Sequence, residues 1–108
     1  MTGVSKYQDI EAKELSKAFD PEQYVVVDVR TDEEYQEGHI PGAAHIPYDE
    51  MENRFHELEH AKDKPILLVC RSGRRSVIAA EVLSQKGFEQ LFNLKGGMLE
   101  WNGPVSKE

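Results

Sequence analysis

Two stretches of this chain are apolar at consecutive positions, Tyr24-Val25-Val26-Val27 and Ile66-Leu67-Leu68-Val69. A strand with one face in water alternates apolar and polar residues. An unbroken β-branched or aliphatic run therefore predicts a strand covered on both faces. Between and around these runs the spacing becomes helical. Ala12, Leu15 and Phe19 share one face at about 100° per residue, and Asp20-Pro21 breaks that helix. Thr31 and Glu34 have capping-box spacing for a short helix through Glu37, with Gly38 suited to its C-terminal cap. His39-Ile40-Pro41-Gly42 reads as a turn, and Ala43 to Ile46 as a short strand. Pro47 leads into a helix from about Asp49 to Glu59, with Met51, Phe55 and Leu58 on one side. From Ser76 to Lys86, the residues Val77, Ile78, Ala79, Ala80, Val82 and Leu83 make a helix apolar over much of its surface, hence central. Gly87 ends it. Leu91 to Leu94 is a last strand, and Gly96-Gly97 introduces a final short helix containing Trp101.

Strands separated by helices imply right-handed crossovers. The expectation is an α/β fold with a mainly parallel central sheet and helices on both faces. In such sheets the functional site lies beyond the carboxyl ends of the strands, and both Asp28 and Cys70 occupy that edge. No repeat, low-complexity segment or linker interrupts the chain. A single domain over residues 1–108 is expected, with its core from about 7 to 101.

The candidate chemistry is Cys70-Arg71-Ser72-Gly73-Arg74-Arg75-Ser76. A lone cysteine closing an apolar strand is ordinarily a small core hydrophobe. Here it opens a loop that contains three arginines and a central glycine and that runs into a helix start. Loop amides and a helix N-terminus converge on one point and favour negative charge there. Arg is the side chain best shaped to grip an oxyanion through paired hydrogen bonds. Each feature would lower the pKa of Cys70, and the thiolate is the reactive form.

Charge sharpens this picture. The chain carries −7 overall, from 13 basic and 20 acidic residues. Without Arg71, Arg74 and Arg75, ten basic residues face the same twenty acidic ones, a net of −10, so the loop is a positive island. Nucleic acid demands an extended basic surface and is an unsuitable partner; a small anion held at one point fits. One cysteine excludes an internal disulfide. No apolar run approaches a membrane span, and Met1 to Asp9 lacks a signal-peptide core, so a cytoplasmic, non-membrane and monomeric protein is expected.

At this point the motifs carry a resemblance. Asp28-Val29-Arg30, Glu34-Tyr35 and Gly38-His39-Ile40-Pro41-Gly42-Ala43 resemble the first signature of the rhodanese family of sulfurtransferases. Cys70 to Ser76 resembles its active-site loop, and Asn93-Leu94-Lys95-Gly96-Gly97 with Trp101 its closing signature. The match runs in order from about Tyr7 to Trp101. It implies a rhodanese-like fold and a sulfurtransferase without metal or cofactor. In that activity Cys70 accepts a sulfane sulfur from a small anionic donor such as thiosulfate, or from a persulfide donor. The Cys70 persulfide then passes the sulfur to a thiol or cyanide, with a protein as possible donor or acceptor. Loop amides from Arg71 to Ser76 would stabilise the anionic persulfide. The resemblance places Arg75 against the anionic end of the donor, while Arg71 and Arg74 supply field or select a protein partner. Asp28 and Arg30 are expected to brace the loop edge by hydrogen bonds. Trp101 is expected to close the core.

Three alternatives stand beside this reading. His56-Glu57-Leu58-Glu59-His60 matches the H-E-x-x-H pattern of zinc peptidases. On a helix both histidines fall opposite Met51, Phe55 and Leu58, towards solvent, and no third ligand follows at a typical spacing. His39 and His45, in the turn region, are expected to be structural. The dual-specificity cell-cycle phosphatases, like arsenate reductases, also place a cysteine in a loop over a helix. The phosphatases need C-x5-R, and here that position is Ser76, the arginine coming one residue earlier. A non-catalytic regulatory or carrier module is the third, although family members of that kind typically lack the cysteine.

Overall fold

The computed structural model describes residues 7–107. The stretch 1–6, included above in the segment without a signal-peptide core, lies outside them, as does residue 108. Five strands form one sheet: β1 (Gln8–Glu11), β2 (Val25–Asp28), β3 (Ala44–His45), β4 (Ile66–Val69) and β5 (Leu91–Lys95). Their spatial order is β1-β5-β4-β2-β3, with every neighbouring pair parallel. The helices are α1 (Ala12–Lys17), α2 (Asp32–Glu37), α3 (Met51–Arg54), α4 (Arg75–Gln85) and α5 (Gly97–Glu100).

The unbroken apolar runs have the structural consequence expected of them. In β4, Ile66 and Leu68 face one core layer while Leu67 and Val69 face the other. The first layer takes in Ala79, Ala80 and Leu83 of α4 together with Met51 and Leu58. The second takes in Ala12, Ile40, Leu94 and Trp101, with Leu15, Phe19 and Met98 packed against it. Helical segments therefore cover both faces of the sheet. Cys70 continues the parity of Ile66 and Leu68 and lies in the first layer, under α4.

Two local expectations are corrected, and one strand appears where the sequence predicts none. The polar stretch Gln8–Glu11 forms edge strand β1, pairing with β5 from Gln8 opposite Phe92 to Glu11 opposite Lys95. An edge strand with three exposed positions carries no apolar signature, so only its partner reveals it. The helix expected over Asp49–Glu59 is instead a 3₁₀ turn (Tyr48–Glu50), the single turn α3, and a 3₁₀ helix (Phe55–Ala61). At three residues per turn, His56 and His60 sit about 120° apart around the axis rather than on one face. Both are exposed. Trp101 lies just past the end of α5, buried, with its indole N–H donating to the Pro104 carbonyl at 3.0 Å.

Candidate functional site

Chain geometry places Cys70 at the carboxyl end of β4, one residue beyond its last ladder position, with no exposed surface. The backbone then doubles back through Gly73, whose φ of +95° lies in the left-handed region. A β-carbon there would sit 3.1 Å from the Gly96 nitrogen and 3.2 Å from the Leu94 carbonyl oxygen. The turn aims the Gly73 amide at the Cys70 sulfur, which accepts it at 2.9 Å. Helix α4 follows at once, and no side chain caps its N-terminus. Cys70 Sγ lies beside that terminus, 3.5 Å from the Ser76 hydroxyl, and the Ser76 and Ser72 amides also favour its charged form. The sulfur thus stands where a helix of this length best tolerates negative charge.

Ser76, also fully buried, connects the sulfur to the sheet. Its hydroxyl oxygen is 3.5 Å from Cys70 Sγ and donates to Asn93 Oδ1. Asn93 is fixed in that orientation because its Nδ2 donates to the Asp9 carboxylate at 2.9 Å, which leaves its Oδ1 for Ser76. In the Ser76–Cys70 contact either atom can be the donor. With Cys70 as thiol, S–H donates to Ser76 and Ser76 donates to Asn93. With Cys70 as thiolate, the Ser76 hydroxyl is free to turn towards sulfur.

Burial alone would push the Cys70 thiol up. The Ser76 hydroxyl and the amides of Ser76, Gly73 and Ser72 outweigh it, leaving the pKa below the ordinary thiol value. These contact dipoles, more than the arginines named from sequence, set the thiolate's stability. Alkylation of Cys70 against pH is accordingly expected to show a midpoint below that of a free cysteine. Ser76→Ala removes one of the lowering groups, so its midpoint is expected to move up by about one unit, the scale of a single hydrogen bond to a charged group. A midpoint unchanged by Ser76→Ala would mean that the hydroxyl stays with Asn93 in both ionisation states.

The three arginines separate. Arg71 and Arg74 are exposed, with no ion pair among the described residues. Arg75, part-buried at the start of α4, is held by Glu34: Nη1 donates to Oε1 at 2.9 Å and Nη2 to Oε2 at 3.1 Å. Glu34 is also the N3 residue of the α2 capping box, accepting from the Thr31 amide and hydroxyl. The Arg75 guanidinium, followed by the Thr31 donors, outweighs the partial burial of Glu34 and lowers its pKa from 4.5 to about 2.

The hydrogen bonds expected from Asp28 and Arg30 to the loop edge go instead to each other and to Gly38. Asp28 and Arg30, both buried, pair through two-pronged contacts, Nη2 to Oδ2 at 2.7 Å and Nε to Oδ1 at 2.9 Å. Arg30 Nη2 also donates to the Gly38 carbonyl at 2.6 Å. They tie the end of β2 to the 38–46 segment, and their link to the Cys70 loop is through the β2–β4 ladder, where Asp28 stands opposite Val69. Tyr35 stacks on His39 at 3.8 Å and on His45 at 4.4 Å, which accounts structurally for both histidines. On the other side, the Met98 and Leu99 amides at the start of α5 donate to the Cys70 and Arg71 carbonyls at 2.9 and 3.0 Å. Glu34 and Asn93 bind loop residues and Asp9 binds Asn93, contacts that the sequence does not announce. Their positions, 41, 17 and 84 residues from their partners, carry no local signal.

Comparison with known proteins places this geometry in context. Residues 11–104 match the Rhodanese-like domain family. The putative sulfurtransferase YtwF of Bacillus subtilis is 40% identical over 101 residues, covering 87% of this chain and 94% of that protein. The putative sulfur carrier protein YrkF of the same organism is 44% identical over 78 residues, 72% of this chain, but the chain spans only 41% of YrkF. Among solved structures, a rhodanese-related protein from Thermoplasma volcanium superposes with a TM-score of 0.82 at 33% identity, covering 94% of this chain and all of that one.

Proposed function

This chain belongs to the rhodanese-like domain family, and from that premise we propose that it transfers sulfane sulfur through a persulfide on Cys70. One observation carries the reading: the buried Cys70 sulfur lies beside the uncapped start of α4 and accepts the Gly73 amide at 2.9 Å. A cysteine that merely filled space would not need a ring of donors. In the first half-reaction the thiolate attacks the outer sulfur of the donor, and the remainder of the donor leaves with the electron pair. The terminal sulfur of the new persulfide is itself anionic. The amides from Arg71 to Ser76 form the cradle that stabilises it. In the second half-reaction a thiol, or cyanide in an assay, attacks that outer sulfur and returns Cys70 as thiolate.

Cys70 exposes no surface of its own, and the exposed residues nearest to it in the chain are Arg71, Ser72 and Arg74, the rim on which a donor would first land. With a single cysteine in the chain, no internal thiol can resolve the intermediate as a disulfide. The sulfur waits on Cys70 until an external acceptor arrives, which suits a carrier between protein partners as well as a turnover enzyme. The chemistry needs a reduced thiol, as in the cytoplasm. No helix among the described residues is long and apolar enough to cross a membrane.

The phosphatase reading has an observation against it. The position that would carry the C-x5-R arginine is Ser76, which is fully buried and committed to Asn93 and Cys70. Intact mass after incubation with thiosulfate or a persulfide donor, without acceptor, is expected to rise by one sulfur atom. Cyanide or a dithiol is expected to return it to the starting mass. No gain with any sulfane donor, together with hydrolysis of an aryl phosphate, would overturn the proposal in favour of the phosphatase.

A further inference from the structure

We propose that Glu34 sets donor choice: by cancelling the charge of Arg75 it disfavours thiosulfate and favours organic persulfides. This rests on the Cys70 persulfide reading and refines its substrate class. Both carboxylate oxygens of Glu34 are engaged by Arg75, through a contact that joins the start of α2 to the first residue of α4. The pair is part-buried, so it is screened less than a surface ion pair. The Thr31 cap holds the carboxylate in place from the other side. With its pKa lowered from 4.5 to about 2, Glu34 stays charged through the whole neutral range. Arg75 is the first residue of α4 and is adjacent in the chain to Ser76, whose hydroxyl lies 3.5 Å from Cys70 Sγ, so it is the part-buried loop cation beside the reacting sulfur.

The two donor classes differ in how much charge must gather at that point. With thiosulfate, the Cys70 thiolate attacks the outer sulfur, the sulfur–sulfur bond of the donor breaks, and sulfite leaves as a dianion with the electron pair. Cys70 is left as S–S⁻, and three negative charges are conserved throughout. With an organic persulfide, the thiolate attacks the outer sulfur of R–S–S–H, the sulfur–sulfur bond of the donor breaks, and R–S leaves with the electron pair and takes up the proton as R–SH. Cys70 is left as S–S⁻, and only one negative charge is present throughout. Two additional charges near the carboxylate of Glu34 call for a free cation, and Arg75 is already paired. Arg71 and Arg74 have no ion pair among the described residues, but they are exposed, where water weakens their field.

The test is the first half-reaction, followed by intact mass and stopped time points, with thiosulfate and with cysteine persulfide generated in situ. The unaltered protein is expected to load from the persulfide at least about tenfold faster than from thiosulfate at equal concentration. Glu34→Gln keeps a capping-box side chain at N3, so α2 retains its cap. In that variant thiosulfate loading is expected to rise about tenfold, chiefly through a lower half-saturating concentration, while persulfide loading changes by less than about twofold. Adding Arg75→Gln to it should remove the gain, because the freed guanidinium is the agent. Thiosulfate loading that stays level or falls in Glu34→Gln would overturn the proposal and make Glu34 an orienting partner of Arg75. Preferential loading of the unaltered protein by thiosulfate would overturn it without any variant. Failure of both donors to load the unaltered protein is a different result, since it removes the persulfide reading itself.

Discussion

Cys70→Ser is expected to abolish sulfur loading while leaving the fold in place. The hydroxyl is close in size to the thiol and still accepts the Gly73 amide that now points at sulfur, so the stability change should stay within about 1 kcal/mol. Chemistry is another matter. A serine hydroxyl at neutral pH offers almost no anion, and neither a helix start nor a set of amides brings its ionisation near that of a thiol. The chain holds no second cysteine to take over. Loss of loading by at least about 10³-fold is the scale seen when a nucleophile is removed. Intact mass after donor treatment, paired with a thermal melt, separates the two effects. A serine variant that still gains sulfur, or that produces thiocyanate from thiosulfate and cyanide, would place the reaction elsewhere.

The second large effect is steric and lies outside the loop. Gly97, at φ +58°, opens α5, and a β-carbon on it would stand 2.4 Å from the carbonyl oxygens of both Cys70 and Arg71. Those same two oxygens receive the Met98 and Leu99 amides. The contact partners are backbone, so nothing flexible can swing away. Gly97→Ala must push α5 off the Cys70 loop, at an expected cost of about 3 kcal/mol from left-handed strain, close contact and two lost hydrogen bonds. For a domain of this size that lowers Tm by roughly 12–20 °C. Sulfur loading should fall with it, since the carbonyls that orient the loop have moved. Gly42→Ala is the control. Its φ is +82°, yet no atom lies within 4 Å of the added carbon, so it pays only the backbone strain of about 1 kcal/mol. Equal destabilisation by the two substitutions would show that backbone conformation, not close approach to the loop, is what Gly97 provides.

The central strands were legible because burial on both faces writes itself into consecutive apolar residues. Val25–Val27 and Ile66–Val69 needed no other clue. The α2 capping box was equally local: Thr31 and Glu34 satisfy each other's backbone within one turn. The 49–59 region misled, because Met51, Phe55 and Leu58 have a spacing that a helix would use, and 3₁₀ and α turns divide the segment between them. Hydrophobic spacing reports which residues are buried and is a weak guide to how tightly the backbone is wound.

The candidate site divides along the same line. By itself the sequence determined the strand–loop–helix order around Cys70, the clustering of arginines beside it and the glycine at its turn, since these follow from neighbours a few residues apart. Tertiary structure alone decided what each of those groups touches. Glu34 reaches Arg75 because α2 and the start of α4 meet at one edge of the sheet. Asn93 reaches Ser76, and Asp9 reaches Asn93, because β5 lies between β4 and β1 in the sheet. Charge cancellation and proton sharing depend on distances across the fold, and a linear chain does not encode those distances in any local pattern. The loop's arginines therefore read as one positive island in the sequence, and only packing distinguished two exposed cations from a third already bound to a carboxylate.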